Sequence, residues 1–541
     1  MRKRFLPPTL VVILTALLFS ITLWAANPAQ DLQNGVQKKD RTKVKKVVEE
    51  LVSQNDVKAC NTLLDALTPP PDAGIYWLIL EGLSRLSNSD AISKLSAYIL
   101  TNKTKDISRD LLGAMKNNRS PTILPLLKDV LGKGPEDMKI ESLHQLGSIQ
   151  TKESLEVLFA FIATLDEKND KDLVKETIGA LKRVTGADKG NYPASWLAWW
   201  KENENKQLTD IIKPKTSAGG AINSVKDYRD MTGVEDLPKE KVFVVRNDRC
   251  DKHYQSDRNY DKIQEVLTKL GVPHTVLGKS ELESDSFNWK EAWVLVFNCN
   301  YYKDLHCGKD CKGGGVATGA RTQGCIGTGD HMNHDTELSN QTIQKIKEFV
   351  ESGGYLFTED LNIREIIVRA FKGIITDTKE ITDQTVQILP APGAILHPYL
   401  KYVFEAPPSS DAPAIPSSEE KSGETQSVKP GEFRIDSEWK IDNGSPDIKI
   451  LKKDVVTVLV MSPKLVNKSN PEGAIAVTWG VSGQNIVTTG GDKSSYAGGG
   501  RVLHVMSHFG HQKSKVDEFA LQNLILNFLI ELNQRRPKAK K

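Results

Sequence analysis

The stretch "LSNQTIQKIKEFVESGGYLFTED", residues 338–360, decides how the chain folds. Its first half reads as a helix stopped by Gly353 and Gly354, its second as an apolar strand ending in Glu359 and Asp360. Glycine suits the left-handed residue that closes many helices. A short, unbroken apolar run is the pattern of a strand buried on both faces. The same alternation runs upstream: the strand "KVFVVRND", the helix "RNYDKIQEVLTKLG" closed by Gly271, then the strands "VPHTVLG" and "EAWVLVFNCN". Downstream come "AIAVTWG", "QNIVTTGGD" and "RVLHVMSHFGHQ", then the closing helix "VDEFALQNLILNFLIELNQRR". Apolar strands alternating with helices predict a largely parallel sheet with helices on both faces, over residues 239–536. Within it, residues 405–432, "EAPPSSDAPAIPSSEEKSGETQSVKPGE", are rich in Pro, Ser and Glu and are expected to be a disordered insertion.

Before this unit the rhythm is different. From 40 to 204, segments such as "TKVKKVVEELVSQ", "DAISKLSAYIL" and "KDLVKETIGALKRVTG" carry apolar residues at helical spacing. "SPTILPLLKDVL" and "ESLEVLFAFIATL" echo one another at a period of roughly 32 residues, as expected when helix pairs stack to bury stripes none can bury alone. The pattern resembles HEAT-type repeats, which run slightly longer. Trp196, Trp199 and Trp200 share one helix face and read as a cap on the last repeat. Residues 205–238 read as a polar linker. The expected fold class is thus α plus α/β and multidomain, with an N-terminal α-solenoid.

The chain is 541 residues long, enough for two or three domains, and its net charge of +3 gives no reason to expect a nucleic-acid partner. Its start, "MRKRFLPPTLVVILTALLFSITLWAANPAQ", has a basic head followed by an apolar run. Residues 1–28 read as a cleaved signal peptide or a retained anchor, with 9–26 as a possible membrane tether. Either reading places the rest outside the cytoplasm, periplasmic or secreted. Five of the six cysteines, Cys250, Cys299, Cys307, Cys311 and Cys325, fall in one segment. In that compartment, clustered cysteines favour disulfides. A metal site built from His306, Cys307, Cys311, Cys325, His331 and His334 is the weaker alternative, since the spacing matches no regular zinc finger.

The strand "KVFVVRND", the stretch 338–360, the segment "ILPAPGAILHPYLK" and the ending "GGGRVLHVMSHFGHQ…EFALQNLILNFLIELN" together resemble the class I glutamine amidotransferase-like superfamily, in particular an uncharacterised bacterial branch. The resemblance implies a flavodoxin-like three-layer α/β/α sandwich. Catalytic members carry a cysteine on a Gly-x-Cys-x-Gly elbow after the third strand and a His-x-Glu pair downstream. Here the third strand ends in "VFNCNYYKD"; Cys299 stands near the elbow position without flanking glycines, and no His-x-Glu occurs. Glutaminase activity is therefore not expected. Gly-x-Ser-x-Gly and His-Glu-x-x-His are absent as well.

Open parallel sheets bind ligands at the carboxyl ends of their strands. Those ends offer Glu359, Asp360 and His508 as catalytic candidates, and Asn247, Asp248, Asn298, Asn300, Asp492 and His511 as ligand-binding candidates. Strand ends collect polar residues in any case, because the chain emerges into solvent there. The missing elbow and the repeats favour an extracytoplasmic, non-enzymatic scaffold that binds a protein partner, a small ligand or a glycan, with no cofactor. The alternative is a hydrolase of carbohydrate or amide bonds, with the rim carboxylates and His508 as acid and base. A trehalose-utilisation branch of the same superfamily also lacks the cysteine elbow, which supports that alternative.

Overall fold

The computed structural model describes residues 27–212, 224–227, 229, 231–245, 263–299, 338–407, 433–482, 485–487 and 499–535. It is a mixed α/β structure with a large mixed sheet. Among the described residues, no helix is long and apolar enough to cross a membrane.

The first part is helical: α1 (Pro28–Gln37), α2 (Arg41–Gln54), α3 (Val57–Asp65), α4 (Ala73–Ser84), α5 (Ser89–Thr101), α6 (Asp106–Ala114), α7 (Leu124–Lys133), α8 (Glu136–Leu146), α9 (Lys152–Ile162), α10 (Lys171–Thr185) and α11 (Pro193–Asn203). Short polar residues start these helices by accepting the first free backbone N–H groups. Asp40, Asp56, Asp72 and Asn88 do so for α2 to α5, and Thr151 with Ser154 forms a capping box on α9. Two rows result: α3, α5, α7 and α9 pack in succession, as do α2, α4, α6, α8 and α10. Hydrogen bonds join helices of successive pairs. Asn55 donates to Ser87, Asn118 to the carbonyl of Leu86, and His144 meets Glu176, each 32 residues apart. Trp196 is buried at the end, and Trp200 stacks on Phe159 at 4.5 Å.

The second part holds thirteen strands among the described residues. They are β1 (Val242–Val245), β2 (Thr275–Leu277), β3 (Val294–Phe297), β4 (Tyr355–Glu359), β5 (Ile375–Ile381), β6 (Gln384–Gln387), β7 (Leu389–Pro390), β8 (Glu438–Ile441), β9 (Ser445–Ile450), β10 (Thr457–Met461), β11 (Ala474–Ser482), β12 (Asn485–Val487) and β13 (Gly500–Val505). The main sheet runs β2-β1-β3-β4-β13-β11-β10-β7. The pairs from β2 to β13 are parallel, and β11, β10, β7 and β12 extend it antiparallel. Strands β5 and β9 pair apart from it, as do β6 and β8.

Alternation along the strands gives each face its own cover. Phe243, Leu295, Leu356 and Val502 are in register. On that face Phe243 touches Phe287, which leads through Trp289 to Phe349 of α15 (Asn340–Glu351). Tyr355 and Phe357, on the opposite face, meet Phe528 of α17 (Lys515–Arg535). Between α11 and α15 lie α12 (Leu208–Ile211), α13 (Ile263–Leu270) and α14 (Lys279–Glu283); α16 (Val368–Ala370) precedes α17.

Two boundaries differ from expectation. In the supposed linker, Met231, Val234 and Leu237 are buried, and Arg229 donates to Asn523 and Asn527 of α17. The apolar residues there outweigh the polar composition and anchor the segment under the last helix. Of the expected insertion, Glu405 to Pro407 are ordered: Glu405 bridges to Phe433 and pairs with Lys116 at 3.0 Å. The remainder, 408–432, lies outside the described residues, as do 1–26.

One continuous apolar core runs through both parts. The row containing α4 to α10 faces the chain's own second part. Trp77 donates to the carbonyl of Pro390, Asp110 accepts from the N–H of Gly393, Asn117 donates to the carbonyl of Phe433, and Lys401 reaches Glu176.

Candidate functional site

Three neighbouring parallel strands, β3, β4 and β13, end at one place. The order β2-β1-β3 also means that the chain turns left of β1 and then right of it, and such a reversal opens a crevice at the carboxyl edge. Cys299 lies two residues beyond β3, Asp360 one residue beyond β4, and His508 three residues beyond β13.

Backbone bonds fix each of them. Asn298 continues the β3 ladder by donating its N–H to the carbonyl of Val245. Its side-chain amide donates to Gln264 of α13, so this ligand-binding candidate ties the strand end to a helix. Asp360 donates its N–H to Val505 and adopts φ +41, a left-handed conformation that aspartate tolerates better than most residues. Asn362 then donates to the carbonyl of Asn298 at 2.8 Å, and a π-helical turn follows over Ile363–Ile367. Such turns concentrate at functional sites. Beyond β13, Ser507 donates to the carbonyl of Lys440, and Gln512 to that of His508.

The result is a compact buried constellation. His508 Nε2 lies 3.0 Å from Asp360 Oδ2, and Cys299 Sγ donates to the same oxygen at 3.5 Å. All three residues are buried, and their ligand atoms lie within 4.8 Å of one another. Asp442, just past β8, stands near the same imidazole nitrogen, 3.7 Å from His508 Nε2 and 3.2 Å from His511 Nδ1. Burial pushes the Asp442 carboxyl up, but bonds from His511 and Lys440 and the nearby His508 more than offset this and hold it well below the usual carboxylate range. His504 faces Thr358 at 3.0 Å; burial lowers its pKa to about 4 against the pull of Asp360, so it stays neutral.

The structure thus joins Asp360 and His508, with His511 behind them. Glu359 is wholly buried, and strand alternation puts its side chain on the opposite face from Thr358, outside the constellation. Cys299, named as a disulfide candidate, stands at the end of β3 with its thiol donating to Asp360. Asn247, Asp248, Cys250, Asn300, His306, Cys307, Cys311, Cys325, His331, His334 and Asp492 lie outside the described residues. Sequence reasoning missed Asp442 altogether, for a carboxylate in the turn "IDNGSP" looks like any polar loop residue.

A thiol nucleophile needs its sulfur on the imidazole and the carboxylate behind that ring. Here the carboxylate oxygen meets both sulfur and imidazole nitrogen, an arrangement with the geometry of an acid–base pair or a ligand set rather than of a nucleophile triad.

No family model matches this chain, and no curated protein matches it. Among solved structures, 53% of the chain is similar to Gan42B, a GH42 beta-galactosidase, at 10% identity and a TM-score of 0.25. The match spans 29% of that chain's length, and it carries no argument about fold or substrate.

Proposed function

We propose that this protein is an exported hydrolase of carbohydrate or amide bonds, working at the carboxyl rim of its sheet. The observation that carries this reading is the buried 3.0 Å pair of His508 and Asp360 at the ends of adjacent parallel strands. Burial of such a pair strengthens its electrostatics and keeps bulk water from competing. Asp360 would take a proton from the attacking water while His508 steadies the carboxylate and supplies a proton to the leaving group.

The strand order and the two covered faces favour the flavodoxin-like, amidotransferase-like reading of the second part. The two helix rows favour HEAT-like repeats in the first. A pure scaffold would use the row from α4 to α10 as an open surface, yet that row is partly filled by residues 390–405 of the same chain. This weighs against the scaffold and leaves a small ligand or glycan as the partner, without nucleic acid. The apolar run 9–26 supports a location outside the cytoplasm.

The test is hydrolysis by the purified protein against panels of oligosaccharides and amides. Asp360→Asn and His508→Gln should each lower turnover by about 10²-fold or more with the far-ultraviolet circular dichroism unchanged. Full turnover in either variant removes the pair from the chemistry, and a wild-type protein inert on every substrate returns the reading to binding.

A further inference from the structure

We propose that Cys299 Sγ, Asp360 Oδ2 and His508 Nε2 form a three-ligand site for a divalent transition-metal ion, zinc being the best match to a sulfur, oxygen and nitrogen donor set. The ligand-ligand spacing fits. Tetrahedral zinc with the usual bond lengths sets a sulfur and an oxygen ligand roughly 3.5 Å apart, and a nitrogen and an oxygen roughly 3.3 Å apart. The corresponding separations here are 3.5 Å and 3.0 Å. Each ligand comes from a different strand end, and each backbone is pinned, so the site is built before any ion arrives.

A second observation points to a cation. Asp360 Oδ1 is buried without a hydrogen-bond partner among the described residues, and so are Asn298 Oδ1 and Asn362 Oδ1, in the segments that carry Cys299 and Asp360. All three are acceptors lacking donors. Asp442 adds a further carboxylate 3.7 Å from the imidazole. Buried oxygen acceptors without donors cost free energy unless a positive charge or a donor satisfies them. Cys60 shows the contrast: buried in the helical array, its thiol is pushed up to about 11 by desolvation, and among the described residues it belongs to no such ligand group.

Among the described residues three ligands are offered, which leaves one tetrahedral position open, the arrangement of catalytic rather than structural zinc. Metal binding stands on this geometry alone; its use in hydrolysis rests on the function proposed above, where zinc, by lowering the pKa of a bound water, would replace the acid–base roles of the Asp360 and His508 atoms it occupies.

The experiment takes the full chain, stripped with a chelator and reloaded with zinc or cobalt. Elemental analysis should find one zinc per chain. Cobalt should give a thiolate charge-transfer band that disappears in Cys299→Ser. Asp360→Asn and His508→Ala should weaken zinc by more than the roughly 10–100-fold that loss of an outer partner costs. In the wild type, zinc should protect Cys299 from alkylation, read by peptide mapping, which keeps the proposal testable if a variant fails to fold. A cobalt band that survives Cys299→Ser, or unchanged alkylation of Cys299 at saturating zinc, overturns it. Stoichiometric zinc on Cys299 without turnover supports the metal site and removes the hydrolytic reading, so the two fail separately.

Discussion

Asp110 shows what burial does to a single carboxyl. It is fully buried where α6 meets the second part, and its Oδ2 accepts from Tyr76 and from the N–H of Gly393. Desolvation raises its pKa to about 7, against the lowering effect of those bonds. A folded-state pKa above the unfolded one means that the contribution is complete below about pH 4 and is lost as pH rises through about 7. Between pH 5 and pH 7 this group should cost the wild type about 2 kcal/mol of stability. Asp110→Asn should remove that slope in urea denaturation, and an identical pH dependence in both proteins would discard the assignment. Asp110 was invisible in the sequence because its burial depends on a glycine nearly 300 positions away. The rim residues were half legible for the same reason. Asp360 and His508 could be placed at strand ends by pattern, whereas their pairing, and the approach of Cys299 and Asp442, depends on strand order that no local pattern encodes.

Helices and strands were the most legible level, since hydrophobic period and glycine stops are local. "ESGGYLFTED" shows why: Gly353 takes φ +104 at the end of α15, and β4 begins two residues later. Glycines within elements carry a different constraint, found only in three dimensions. A Cβ on Gly500, at the start of β13, would collide with the backbone carbonyls of Val350 and Gly354, neither of which is a flexible side-chain tip. Gly500→Ala should therefore push β13 off β4 and cost about 3 kcal/mol or more. Gly132, in α7, has open space around its Cβ position. Gly132→Ala should stabilise by about 0.5–1 kcal/mol through helix propensity alone. Denaturant midpoints of the two variants should move in opposite directions; a tolerated Gly500→Ala would mean that the β13 edge is looser than its contacts require.

At the scale of the molecule, composition suggested a helical array and an α/β unit joined by a polar linker, and that division hides how far the two are welded. Trp77 sits at the seam with no solvent exposure, donating to Pro390 at 2.9 Å while its ring leans on Phe433 at 5.2 Å. Lys116 is held there between Glu141 of the array and Glu405 of the second part. Removing either part would leave a large aromatic face and buried charges in water, a cost that neither part can recover alone. Urea unfolding followed by tryptophan fluorescence and by far-ultraviolet circular dichroism should therefore give coincident single transitions. Trp77→Ala should shift both together by about 3–5 kcal/mol. Trp200→Ala, at the far cap, should shift them by less, because its ring is only partly buried. Two separated transitions in the wild type, with Trp77→Ala affecting one alone, would mean that the seam is a contact between independent domains and that the helix row is free to open to other partners.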